Sequence, residues 1–253
     1  MGLSLTIALV LAATTLDAEV AVRGTQVAVP ALSAPGVVLL DVGDKEKPAV
    51  AARIAAPDLG GLAAAPVRGV VFAGASAQVF AQTPAGFWTV ELGAEGEAMH
   101  VLPFVPVDGL ARLSWDGARL LAIRTTGGGI AYSPAAGERP VARPKAISAD
   151  EARTLLVALP APSKSPTPGI GACPAKPEKS AREIVGKHRK GRIENIHCAE
   201  FVAETSSGAL ARWRMVTFTR VAPGETKPRP ERVLYDVVPE REKRSFVVID
   251  PAP

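Results

Sequence analysis

Phe72 to Ala81 reads FAGASAQVFA, and Leu113 to Ala122 reads LSWDGARLLA. The two align without a gap at an offset of 41 residues. In each, apolar runs flank turn-forming residues, Gly74-Ala75-Ser76 in the first and Asp116-Gly117 in the second. Asp-Gly between alternating runs is a strong short-range hairpin signal. Ile147 to Ala158, ISADEARTLLVA, reads as a third copy with two extra residues. A glycine-led strand follows each of the first two copies, Gly86-Phe87-Trp88 and Gly129-Ile130-Ala131. Gly36-Val37-Val38 is the corresponding strand one unit earlier. Self-similarity at a period near 40 residues, with several short strands per unit, specifies a repeated antiparallel architecture.

The rest of the chain extends that pattern. Val37 to Val42 is followed by Gly43-Asp44, a charged turn, Pro48 and then Ala49 to Ile54, which reads as strand, turn, strand. Phe87 to Leu92 alternates and stops at Gly93. The chain has 253 residues, 47% of them hydrophobic but only 5% aromatic, so its core is built mostly of Val, Leu, Ile and Ala. Its 23 Gly and 23 Pro weaken helix interiors and suit a chain that turns every ten residues or so. The expected fold is all-β, a β-propeller-like repeat of short antiparallel strands over residues 19–159. The alternative is two sandwich-like β domains joined by a Pro-rich linker.

Ser114-Trp115-Asp116-Gly117 is similar to the Ser-x-Asp-Gly turn of TolB-like and WD-type propeller blades. Gly36 to Val42, with Asp44 and Pro48, resembles the LVIVD-type repeat of bacterial surface propellers. Gly43 and Lys45 stand where that repeat has Ser and its first Pro, and the other copies lack Pro48. The resemblance spans about residues 30–160 and implies a fold rather than an activity, since propellers host enzymes, receptors and scaffolds alike.

Beyond the repeats, residues 160–177 carry six prolines, and 160–191 reads as a basic, Pro-rich linker. Ser180-Ala181-Arg182-Glu183 fits a capping box for a short helix running to Lys190. Residues 192–253 hold four more strand candidates: Ile193 to Glu204, Leu210 to Val221, Arg232 to Val238 and Ser245 to Ile249. They are further blades or a small separate β domain.

Met1 to Ala13 is an apolar run the length of a secretory h-region, and small residues lead to Ala18, so residues 1–18 read as a signal peptide. No Lys or Arg precedes the run; the other reading is a start further upstream or a buried first strand. The run is too short for a bilayer, which takes about 20 apolar residues. The expected location is periplasmic or secreted, with no stable membrane span. In such a compartment a single cysteine pair, Cys173 and Cys198, is by default a disulfide. The 25-residue loop it closes is worth ~3 kcal/mol on the chain-entropy model.

Residues 1–139 carry 9 Lys/Arg against 12 Asp/Glu, whereas 140–253 carry 20 against 13. The densest basic run, Lys176 to Arg192, makes Lys187, Arg189, Lys190 and Arg192 candidate contacts for an anion or partner; the other reading is an exposed, solvated loop. No aromatics lie between them for base stacking, and nucleic acid is not an expected partner.

Catalytic signals are weak. Gly74-Ala75-Ser76-Ala77-Gln78 lacks the last glycine of a nucleophile elbow and sits at a hairpin. Gly127-Gly128-Gly129 reads as a hairpin tip. His197 and Cys198 are adjacent on a strand and so point to opposite faces. His100 reads as a lone strand residue and His188 as part of a solvated run, and three His with two Cys build no zinc site. No catalytic, cofactor or metal residue is assigned. The expected function is a non-catalytic binding or scaffold module presenting blade loops to an envelope or surface protein or glycan. The alternative is a propeller-type hydrolase or oxidoreductase with its site at the central channel.

Overall fold

β-Branched and aromatic residues fit a pleated, half-buried surface, and turns rich in Gly, Asp and Ser fold such runs back on themselves. The computed structural model describes residues 20–32, 34–57, 65–73, 78–93, 99–116, 118–132, 145–151, 154, 171–172, 186, 190–237 and 246–249. Within them lie four antiparallel sheets, each joining strands consecutive in the chain. Sheet I comprises β1 (Ala21–Arg23), β2 (Gln26–Pro30), β3 (Gly36–Asp41) and β4 (Ala49–Ala55). Sheet II comprises β5 (Gly69–Ala73), β6 (Gln78–Thr83), β7 (Gly86–Glu91), β8 (His100–Val101) and β9 (Val105–Pro106), the last two both pairing with β7. Sheet III comprises β10 (Leu110–Trp115), β11 (Leu120–Arg124), β12 (Gly129–Tyr132) and β13 (Lys145–Ile147). Sheet IV comprises β14 (Gly171–Ala172), β15 (Arg192–Glu204), β16 (Leu210–Val221), β17 (Arg229–Asp236) and β18 (Phe246–Val248).

The sheets stack in the order IV, I, II, III. Alternate residues of a strand face opposite ways. Val38 and Leu40 of β3 therefore pack with Phe201, Trp213, Met215 and Leu234 of sheet IV, while Val37 and Leu39 pack with Val70, Val79 and Trp88 of sheet II. Burial on both faces explains why β3 reads as a continuous apolar run instead of alternating with polar residues. Phe80, Phe87, Leu113, Leu120 and Tyr132 form the layer between II and III, with Phe87 edge-on to Tyr132 at 5.1 Å. Among the described residues no apolar cluster joins III to IV. The fold is all-β, in several small sheets.

The 41-residue offset holds on the second strands. Phe80 of β6 is 4% exposed in the layer facing III, and Leu121 of β11 is 0% exposed on the far face of III, beside Ile123, Ala131 and Ile147. The gapless alignment fails on the first strands. Phe80 lies opposite Val71, but Leu121 lies opposite Ser114 and not Arg112. The reason is the turn. Asp116 N–H bonds to the Arg119 carbonyl at 3.1 Å, and six residues separate Ser114 from Leu121 where eight separate Val71 from Phe80. Gly86 and Gly129 do open the third strands, where a Cβ would strike the facing carbonyl of Val105 or Ala122.

The third copy is corrected. Ile147 ends β13, the last strand of sheet III, and residues 149–151 and 154 are helical. Ser148 Oγ accepts the Glu151 N–H at 3.1 Å, so Ser148-Ala149-Asp150-Glu151 is a helix cap where the alignment placed a hairpin. The four C-terminal strand candidates overlap β15, β16, β17 and β18, with β17 starting three residues earlier than expected and ending at Asp236, and their sheet shares a core with sheet I. The leader at residues 1–18 lies outside the described residues, as does the linker apart from Gly171, Ala172, Gly186 and Lys190.

Candidate functional site

Two turns remote in sequence meet at the seam of sheets I and IV. After β3, Asp41 Oδ1 accepts the Gly43 N–H at 2.9 Å and Asp44 Oδ1 accepts the Glu46 N–H at 2.8 Å, so the carboxylates shape the turn locally. After β15, Thr205 Oγ1 lies 2.9 Å from both Ser207 Oγ and the Ala209 carbonyl, tightening that hairpin. Backbone bonds join sheet to sheet: Ser206 N–H to the Gly43 carbonyl and Glu204 N–H to the Gly24 carbonyl, each at 3.0 Å. Gly43 permits this approach, since a Cβ there would lie 2.6 Å from Ser206 Oγ. Between the turns opens a cleft of about 430 Å³ lined by Gly43, Asp44, Lys45, Thr205, Ser206 and Ser207. It presents hydroxyls, one carboxylate and one ammonium, a set suited to hydrogen-bonding a polar ligand.

The seam is also clamped by two arginines. Arg53 Nη1 donates to the Ile249 carbonyl, and Arg232 Nη1 to the Pro30 carbonyl, each at 2.6 Å. On the other face of sheet IV, Glu200, Arg214 and Tyr235 lie side by side in register. Arg214 is bonded to Glu200 and sits with its guanidinium 5.9 Å from the Tyr235 ring centroid. Burial pulls the Arg214 guanidinium towards lower pKa, but the bonds to Glu200 and Tyr235 outweigh it and the net direction is upward. Arg220 pairs likewise with the buried Glu231. These are charges satisfied inside the fold.

Of the candidate contacts, Lys190 and Arg192 are described, and they fall at the far end of β15 from the cleft. A 13-residue strand spans about 40 Å. Lys190 uses its carbonyl to accept Arg220 Nη1 at 3.1 Å, and Arg192 pairs at 2.9 Å with Glu194, both side chains largely exposed. Lys187 and Arg189 lie outside the described residues, as do His188, Cys173 and the Gly74 to Ala77 turn. Cys198 lies in β15 opposite Val216, and its neighbour His197 opposite Thr217. His100 is exposed in β8, and Gly127 and Gly128 form the β11–β12 turn. Among the described residues no three His, Cys, Asp or Glu are gathered so as to hold a metal ion. No helix among them is long and apolar enough to cross a membrane.

The sequence reading missed two features. One is the cleft: Gly43-Asp44 reads as part of a charged turn, and only the packing of IV on I brings it to Thr205, Ser206 and Ser207. The other is Asp236, which ends β17 opposite Trp213, is 1% exposed, and has no hydrogen-bond partner for either carboxylate oxygen among the described residues. The sequence reading runs its strand through Asp236 to Val238, so nothing local signals it. Comparison of the chain with protein-family models and with curated proteins finds no match.

Proposed function

We propose that the chain is an extracytoplasmic, non-catalytic binding or scaffold module of β-propeller type, whose four sheets act as blades and whose turns meet an envelope protein or glycan. The observation that carries this reading is the seam, where the last sheet packs on the first and their turns are bonded round a polar cleft. Meander sheets stacked face to face, each of four or five short antiparallel strands, suit successive blades. Turns held by a rigid frame are where binding residues collect. The cleft's hydroxyls, carboxylate and ammonium suit sugar hydroxyls or a polar protein surface.

Photo-crosslinking in cells of the native host tests the reading. A benzoylphenylalanine at Ser207 in the full chain is expected to give a discrete adduct in the envelope fraction. The adduct is lost on adding Asp44→Arg, and the same probe at Lys190 does not give it. Retention of the protein in the cytosol, or equal diffuse labelling from both positions, overturns it. Turnover of an ester, glycoside or redox substrate that is lost with Asp44→Arg points to the enzyme alternative.

A further inference from the structure

Several of the polar groups that line the cleft between sheets I and IV are already spent on the fold. Thr205 Oγ1 donates to the Ala209 carbonyl, so its 2.9 Å contact with Ser207 Oγ uses the Ser207 hydrogen. Asp44 Oδ1 accepts the Glu46 N–H. Two side-chain donors are left. The Lys45 ammonium and the Ser206 hydroxyl make no hydrogen bond or ion pair among the described residues. Lys45 is half-buried, and an ammonium in that setting is best matched by an anionic acceptor. Neutral sugar hydroxyls leave its charge unmatched.

The same hairpin adds an apolar group. Ser206, Ser207, Gly208, Ala209 and Leu210 are exposed in succession, and Leu210, at 59%, is the most exposed of the large hydrophobic residues described. A Cβ added at Gly208 meets no atom within 4 Å, so the approach to the tip is open. Leu210 gains from an apolar side chain that leaves water with it. No aromatic side chain lines the cleft, so a sugar ring finds no flat face there.

We infer that the occupant of the cleft is a protein segment that sets a carboxylate on Lys45 and Ser206 and an apolar side chain on Leu210. This rests on the binding role proposed above and narrows its partner to an acidic, partly apolar protein surface. A free phosphate or an anionic glycan satisfies Lys45 alone and leaves Leu210 in water.

Crosslinking from benzoylphenylalanine at Ser207 of the full chain, in cells of the native host, tests it when repeated in variants. Leu210→Ser and Lys45→Glu are each expected to cut the adduct yield at least about fivefold, and Lys45→Arg to keep it. An unchanged urea midpoint shows that each variant is folded, and Lys45→Gln replaces Lys45→Glu if the midpoint falls. Mass spectrometry of the adduct is expected to give the peptides of one second protein. An adduct that carries carbohydrate and no second set of peptides, or a yield indifferent to Leu210→Ser, overturns the protein partner while the binding role stands. Loss of the adduct with Lys45→Arg overturns the carboxylate. No adduct from Ser207 in any variant or in the parent chain overturns the binding role and this inference together.

Discussion

Phe80 and Leu121 are both buried at equivalent strand positions, Phe80 between sheets II and III and Leu121 in a cluster of sheet III alone, and the burial is what the repeat made legible. Phe80→Ala and Leu121→Ala are each expected to destabilise the fold by about 2–5 kcal/mol in urea denaturation, as large-to-small core changes do. Asp236 was illegible for the opposite reason. It ends β17 opposite Trp213 and is 1% exposed, and no neighbour in sequence reports that. A buried carboxylate without a partner opposes folding, whereas a neutral amide of the same shape is cheaper to desolvate. Asp236→Asn is therefore expected to stabilise the protein by on the order of 1 kcal/mol, read as a raised urea midpoint at pH 7. A lowered midpoint would show that the carboxylate does useful bonding.

Asp116 shows how much of an element a dipeptide can reveal. Asp-Gly gave the hairpin, and in the fold Asp116 Oδ1 accepts the N–H groups of Ala118 at 2.9 Å and Arg119 at 2.6 Å. What the dipeptide did not give was the two-residue displacement of β10, because turn length and offset trade against each other in a gapless alignment. Partial burial pushes the Asp116 carboxyl up, but the two N–H groups and the Arg119 guanidinium outweigh it and hold its pKa below the ordinary value. A depressed carboxyl stabilises the fold above its unfolded pKa and stops doing so as pH falls through the folded one. Asp116→Ala is expected to cost about 1–2 kcal/mol at pH 7. The gap between wild type and variant should close as pH drops below the ordinary carboxylate range, which parallel denaturation curves would reveal. The third copy misled for an equally local reason: Ile147 to Ala158 keeps the apolar ends, but Ser148 and Glu151 turn its middle into a helix start.

At the scale of the molecule, strand content was legible and the stacking order was not. Period and turn residues fix strands locally, whereas the choice of sheet I as the partner of sheet IV depends on matching faces far apart in sequence. Arg232 and Arg53 mark that choice by donating to carbonyls across the seam. Arg232→Ala leaves the Pro30 carbonyl without that donor in a buried setting and is expected to cost about 1–3 kcal/mol. Hydrogen exchange should rise at the I–IV seam before it rises in the layer between II and III; uniform loosening would count against a local clamp. The same seam puts Val20, at the first described residue, in one cluster with Ile249, at the last. A ribosome makes a chain from its N-terminus. Sheet I is therefore synthesised early but waits for nearly the whole remaining chain before one of its faces is covered. During that interval Val27, Val29, Val38 and Leu40 lack the sheet IV residues that cover them in the fold, so a chain truncated before residue 192 is expected to aggregate, read as its loss from the supernatant after centrifugation.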